Sequence, residues 1–406
     1  MKAKQMLSGR GLRWFFQRVR GGSFTVVYAD GTAERYGDGD PQFTVRIRDD
    51  DIFNFLGDSL SLSFGEAYTD GRIDVEGDLA DLVALAIRNG LISDTGTAQN
   101  LTATALRAAA GIRSLKRQKD DVAHHYDVGN DFFRLWLDQS LTYSCAYFRS
   151  VSDTLEQAQR QKVEHSLRKL RLQPGETLLD IGCGWGALVM QAAERFGAHA
   201  LGITLSHEQQ VGATAAIASR GLSDQAKVQL VDYGTLAREG KQFDKIISIG
   251  MIEHVGKAHL GEFARDVEAM LKPGGLALLH FISGLTEGPV NRWVEKHIFP
   301  GSYVPTLSEM VDHLVARHFH IWDVENLGPH YRLTLDEWSK RFERAVSRIR
   351  ETFDERFVRK WRLYLRGVSA GFREASLEVH QILVSRGNPD GLSLTREDVY
   401  RPWTQL

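Results

Sequence analysis

The 406-residue chain carries 50 basic and 52 acidic residues, a formal charge of −2, and is 43% hydrophobic and 25% charged. That balance suits a globular protein of two domains, or one large domain with an extension, and excludes nucleic-acid binding driven by excess positive charge. Its two cysteines, Cys145 and Cys183, are too few for a disulfide framework or an unaided zinc cluster, so a reducing cytoplasm is expected. No apolar run of about 18 residues is present to span a bilayer, and the first residues lack the apolar stretch of a secretion signal.

Met1 to Gly22 holds Lys2, Lys4, Arg10, Arg13, Arg18 and Arg20 with no acid, interleaved with Leu12, Trp14, Phe15, Phe16 and Val19. The pattern predicts a basic amphipathic helix, either docking on anionic lipid or packing on its own domain. Between Gly21 and Leu91, the hairpin signal Asp30-Gly31 and the alternation of "FTVRIRDDD" give way to helical periodicity, which predicts a small α+β domain. Residues 101 to 120 gather Arg107, Arg113, Lys116, Arg117 and Lys119. This segment reads as a basic linker helix, facing either solvent or lipid headgroups.

Beyond it the rhythm becomes strand, helix, strand, helix: "ETLLDIG", "GALVMQAAERFG", "HALGITL", "SHEQQVGATAAIASRG", "AKVQLVD", "FDKIISIG", "LALLHFI". Such alternation predicts a parallel sheet covered on both faces, with ligands at the carboxyl ends of its strands. In "LLDIGCGWG", Gly182, Gly184 and Gly186 follow an apolar strand ended by Asp180 and precede a helix. The G-x-G-x-G spacing favours S-adenosylmethionine over a dinucleotide, whose phosphates want G-x-G-x-x-G. The next strand ends in "GITLSHEQQ", with Thr204, Ser206 and Gln209 where an acid usually meets ribose hydroxyls.

Taken together, "GCGWG", "TLSHEQ", "EHVG", "HHYDVGNDFF" and "LTYSCAYF" resemble the cyclopropane fatty-acid synthases and the related mycolic acid methyltransferases. The resemblance runs from about His124 to Gly387, and "LSFGEAYTDGRIDVEGDLADLV" looks like the accessory domain of the longer synthases. It implies a Rossmann-like methyltransferase sheet with a helical lid insertion, plus the small N-terminal α+β domain. The implied boundaries are an accessory domain over 1–100, the linker over 101–120, and a catalytic domain over 121–406 with its lid at about 283–372. The implied reaction carries the methyl of S-adenosylmethionine across a cis double bond of a phospholipid acyl chain. It would run on the inner face of the membrane by peripheral contact, and a homodimer is allowed.

By the same resemblance the cofactor would be met by Tyr143, Ser144, Asp180, Gly182, Gly184, Gly186, Thr204, Leu205, Ser206, Gln209, Asp232 and Tyr233. A bicarbonate ion would be held by Cys145, Glu253, His280, Ile282 and Tyr331. One departure is Val368 and Ser369, which stand where many relatives carry a further cysteine outside that set.

An olefin that takes a methyl leaves positive charge on carbon, and ring closure then needs a base within reach of the new methyl. A small anion is a safer base than a carboxylate that the cation could alkylate. Tyr331, His280 and the Ile282 amide would donate to it, and Glu253 would accept its O–H. Two adjacent anions repel, so either His280 is protonated or Glu253 shares a proton. Strand alternation turns Glu253 toward the site and its neighbour His254 away. Tyr126, Phe132, Phe133, Tyr143, Tyr147 and Phe148 would shelter the cation or simply build core. A methyl-branched or methylene product by the same transfer, and a lipid-binding protein without catalysis, are the competing readings.

Overall fold

The computed structural model describes residues 13–49, 59–92, 129–288, 290–389 and 391–400. The chain divides into two compact units, one of 1–106, 288–300 and 335–377, the other of 107–287, 301–334 and 378–406. The linker over 101–120 lies outside the described residues, as does most of the basic N-terminal segment, of which 13–16 are helical.

In the first unit, strands β1 (Phe24–Val27), β2 (Ala33–Tyr36), β3 (Phe43–Ile47) and β4 (Ile73–Gly77) form a sheet in the order β2-β1-β3-β4. The Asp30-Gly31 turn joins β1 and β2 as an antiparallel hairpin, with Gly31 at φ 83°. Phe43, Val45 and Ile47 point inward while Thr44 and Arg46 do not, the period of two that buries one face. Phe24, Val26, Tyr28 and Tyr36 complete that core. Helix α1 (Leu60–Thr69) starts at Ser59, whose hydroxyl accepts from the Leu62 amide, and α2 (Leu79–Arg88) at Asp78, which accepts from Ala80.

The second unit is built on seven strands: β5 (Thr177–Ile181), β6 (His199–Thr204), β7 (Ala226–Leu230), β8 (Phe243–Ile249), β9 (Leu271–Gly284), β10 (Phe319–Asn326) and β11 (Leu377–Arg386). Their order is β10-β11-β9-β8-β5-β6-β7. Pairs β5 with β6, β6 with β7, β5 with β8 and β8 with β9 are parallel, whereas β10 and β11 are antiparallel. Both faces are buried: Leu179, Ile246, Ala277 and Leu279 join one core, Leu178, Ile247, Leu276 and Leu278 the other. This is the Rossmann-like sheet that the resemblance implied, parallel where the alternation predicted it and mixed through the antiparallel β10–β11 pair.

Helix α3 (Asn130–Arg134) precedes α4 (Leu155–Lys169), which opens with a capping box between Thr154 and Gln157. Helices α5 (Ala187–Phe196), α6 (His207–Ser219), α7 (Tyr233–Arg238) and α8 (Leu260–Met270) connect the parallel strands. The interval between β9 and β11 contains α9 (Arg292–His297), α10 (Leu307–Val315), β10, α11 (Gly328–Ile349) and α12 (Glu355–Arg373). Among the described residues no helix is long and apolar enough to cross a membrane.

Candidate active site

From β5 the chain winds outward through β6 and β7, then returns to place β8 on the other side of β5. The crevice outside the carboxyl ends at such a reversal is where open α/β sheets bind ligands. A cavity of about 160 Å³ lies there.

Each strand end contributes a wall. Beyond β5 come Asp180, Gly182 and Gly184, and a side chain at Gly182 is disfavoured twice over: φ is +84°, and a Cβ would stand 3.0 Å from the Met251 side chain. Beyond β6 come Thr204, Leu205 and Gln209. Here the Thr204 hydroxyl donates to Gln209 Oε1 at 2.7 Å and accepts from the Ser206 amide at 3.1 Å. Beyond β7 come Asp232 and Tyr233, the aspartate capping α7 through the Gly234 and Thr235 amides. Tyr143 and Ser144 close the cavity from the segment before α4.

Two of the expected cofactor residues are not in the wall. Ser206 is spent as the cap of α6, accepting from the Gln209 amide at 3.3 Å. Gly186 caps α5 in the left-handed region, where a Cβ would stand 3.2 Å from Ala213 of α6. Both shape the wall from behind.

Lys162 of α4 is a cavity residue that the sequence reading missed. It is buried, donates to Ser144 Oγ at 2.9 Å, and burial lowers it to about 8 against the opposing pull of Cys145, Asp138 and Asp180. Asp180 is also buried, which pushes its carboxyl up to about 7, with Lys162 opposing the rise. In "EQAQRQKVEHSL" nothing local distinguishes this lysine from the other polar residues around it.

The "IEH" of residues 252–254 corrects the strand-alternation reading. β8 stops at Ile249, Gly250 turns the chain at φ 66°, and Ile252–His254 form a 3-10 turn. Period-two reasoning fails on such a turn, and His254, expected to face away, lines the cavity. Burial lowers its imidazole to about 4. Glu253 is buried behind that wall: the Ile282 amide donates to its Oε1 at 2.7 Å, and its Oε2 meets no donor among the described residues. Burial pushes Glu253 up to about 7, with the Ile282 bond opposing.

The other three expected acid-base positions sit around the same strand ends. The Gly250 amide donates to the His280 carbonyl at 2.8 Å. The Cys145 thiol reaches the Leu327 carbonyl at 3.8 Å, and that carbonyl also accepts from the Tyr331 amide in the first turn of α11. Burial raises the Cys145 thiol far above its ordinary value, so it stays neutral. Burial, with Lys162 and Lys169 adding to it, holds His280 well below its usual range. Of the two charge arrangements weighed from sequence, a protonated His280 is therefore disfavoured and a proton on Glu253 favoured.

The aromatic residues separate. Tyr143 and Trp185 line the cavity, backed by Phe133 at 5.4 and 5.6 Å between ring centroids. Phe132 and Phe148 are buried core, Tyr147 stacks between His165 and His330, and Tyr126 lies outside the described residues.

A model of the mycolic acid cyclopropane synthetase family matches residues 113–382. The chain belongs to that family. A second model, described as a domain of unknown function, matches residues 12–92. The probable fatty acid methyltransferase of Pseudomonas putida is 35% identical over 370 residues, 89% of this chain and 92% of that one. The cyclopropane-fatty-acyl-phospholipid synthase of Escherichia coli K12 is 35% identical over 356 residues, 87% and 90% of the two chains. Among solved structures, the cyclopropane synthase MmaA2 of Mycobacterium tuberculosis is 33% identical over 66% of this chain and 98% of its own, with a TM-score of 0.63.

As a member of the mycolic acid cyclopropane synthetase family, the protein is a methyltransferase that uses S-adenosylmethionine. The cavity fits that cofactor on its own terms: glycine backbone that admits close approach, a buried carboxyl at Asp180, and polar groups from four strand ends and α4 around one volume.

Proposed function

We propose that this family member adds a one-carbon unit across a cis double bond of an unsaturated phospholipid acyl chain and closes a cyclopropane ring. Bound S-adenosylmethionine supplies an electrophilic methyl on a sulfonium. Tyr143, Ser144, Asp180, Gly182, Gly184, Thr204, Leu205, Gln209, Asp232 and Tyr233 would seat it, with Lys162 beside them. The ring faces of Tyr143 and Trp185 are suited to a passing positive charge.

The observation that carries the reading is Glu253. A carboxyl fixed on one oxygen, with no donor on the other among the described residues and poised near neutrality, is suited to taking or holding the proton that ring closure releases. Of the five expected contacts the Ile282 amide is already engaged by Glu253, so Cys145, Glu253, His280 and Tyr331 are left to hold a bicarbonate, which would supply a small base. The free Oε2 of Glu253 fits an O–H partner, while the Ile282 amide is already donated to Oε1. Access to acyl chains implies peripheral contact with the inner membrane face, for which the basic segment before Gly22 is suited.

A second reading keeps the transfer and ends, after a hydride shift and loss of a proton, in a methylene or still-unsaturated methyl-branched chain. The 35% identity to a probable fatty acid methyltransferase favours it as strongly as the equal identity to a cyclopropane synthase favours the first. Purified protein incubated with S-adenosylmethionine and vesicles of an oleoyl phospholipid is expected to add one methylene per double bond consumed, seen by mass spectrometry. Unchanged lipid under varied headgroups would contradict both readings.

A further inference from the structure

We infer that Gln381 is a positioning residue that fixes the tautomer of His280, keeping its single ring proton on Nε2. The inference rests on the reading of His280 as part of the acid-base cluster, and it concerns an atom that cluster leaves undetermined: which ring nitrogen donates.

Gln381 sits in "VHQILVS", where His380, Gln381 and Ser385 are buried polar residues among apolar ones. Burying an amide in a central strand is costly unless its polar atoms are used. Strand β11 lies directly beside β9, and there Gln381 Nε2 stands 3.1 Å from His280 Nδ1. The same nitrogen donates to Ser166 Oγ of α4 at 3.2 Å. Gln381 and Ser166 are 0% exposed and His280 is 2% exposed, so no bulk water competes for these bonds. Gln381 Oε1 meets no donor among the described residues, and the reversed amide would instead leave two buried N–H donors unmet, the costlier loss, which assigns both bonds to the N–H side.

An amide N–H can only donate, so Nδ1 must offer its lone pair. Burial beside Lys162 and Lys169 keeps the ring neutral, and a neutral imidazole has one proton to place. With Nδ1 occupied as an acceptor, that proton is on Nε2, and any further partner of His280 meets a donor. A carboxylate at position 381 would reverse the arrangement, drawing the proton to Nδ1 and leaving Nε2 as a base.

The test is ring-nitrogen NMR on the full chain labelled with 15N-histidine, the His280 signals being identified by their loss in His280→Gln. The expected wild-type spectrum has a protonated Nε2 and a bare Nδ1 across neutral pH. Gln381→Glu should move the proton to Nδ1 and lower kcat by roughly 100-fold. S-adenosylhomocysteine affinity, measured by calorimetry, should stay within about twofold of wild type, which also reports that the variant folds. Gln381→Met, which removes both bonds without supplying an acceptor, should populate both tautomers. A wild-type proton on Nδ1, or Gln381→Glu leaving it on Nε2, would overturn the inference. A tautomer that moves in Gln381→Glu while kcat does not would support the assignment of the ring proton and overturn the part given to His280 in catalysis.

Discussion

The Ile282 amide donates to Glu253 Oε1 at 2.7 Å, tying the 3-10 turn after β8 to the carboxyl end of β9 and leaving the second carboxyl oxygen with no donor among the described residues. One bond thus fixes the orientation of a carboxyl whose burial pushes it up to about 7. Near neutral pH both protonation states are populated, the condition under which a group exchanges protons most usefully.

If Glu253 acts as the proton acceptor or as its orienting partner, kcat at saturating cofactor should rise with pH through about 7, as the carboxylate forms. Glu253→Gln should remove that rise and lower kcat by roughly 100- to 10,000-fold. A pH series on both proteins checks this, and a glutamine variant with wild-type turnover would exclude the assignment.

The same burial bears on stability. The folded pKa of Glu253 is raised from 4.5 to about 7, so the folded state binds the proton more tightly. Its contribution is full below 4.5 and is lost as pH rises through 7. Glu253→Gln, which keeps the acceptor for Ile282 and has no charge to bury, should therefore be more stable than wild type above neutrality. The gain should approach on the order of 3 kcal/mol and vanish toward acid pH. Urea unfolding on either side of neutrality measures it, and a gap of equal size at both pH values would contradict the burial argument.

Lys162 donates to Ser144 and is the buried cation nearest in effect to Asp180. Lys162→Met should therefore raise Asp180 further above about 7 and leave the Ser144 hydroxyl without its donor. S-adenosylhomocysteine should bind roughly tenfold more weakly, about 1.4 kcal/mol, in calorimetry at neutral pH. Unaltered affinity would show that the lysine only fills the wall.

Two glycines separate backbone strain from contact. Gly175 and Gly182 have φ of +82° and +84°, but a Cβ at Gly175 meets nothing within 4 Å whereas one at Gly182 stands 3.0 Å from Met251. Gly175→Ala should cost about 1–2 kcal/mol in denaturant unfolding and leave cofactor affinity intact. Gly182→Ala should cost about 1–3 kcal/mol more and weaken S-adenosylhomocysteine binding. Equal behaviour of the two variants would mean that the loop after β5 yields freely.

The sheet and the residues lining the cavity at its carboxyl edge were legible because both depend on local pattern. Apolar runs with helices between them set the parallel sheet, and "GCGWG" marks its first turn by glycines that only a left-handed backbone requires. What was not legible depended on where the chain leaves its regular elements or on partners distant in sequence. The Glu253 and His254 orientations followed from treating residues past Ile249 as strand, whereas Gly250 ends it and a 3-10 turn rotates successive side chains by about a third of a revolution instead of half. Lys162 belongs to a helix whose sequence reads as solvated, and only packing onto the sheet buries it. Gln381 stands in a strand that mixes buried polar and apolar residues, and its partners Ser166 and His280 are 215 and 101 residues away. Similarly, Arg359, Arg366 and Arg373 of α12, spaced by sevens, pair with Asp74, Asp78 and Asp81 of the N-terminal sheet and helix, a match invisible before the fold brings them together.

Ring closure itself is tested most directly with S-adenosylmethionine carrying a trideuterated methyl. Protein incubated with it and oleoyl phospholipid vesicles should yield an acyl chain that has lost the double bond and kept two of the three deuterons, with the ring methylene located by deuterium NMR at the upfield position of a cyclopropane. A product retaining all three deuterons on a methyl branch would contradict proton removal at the Glu253 cluster.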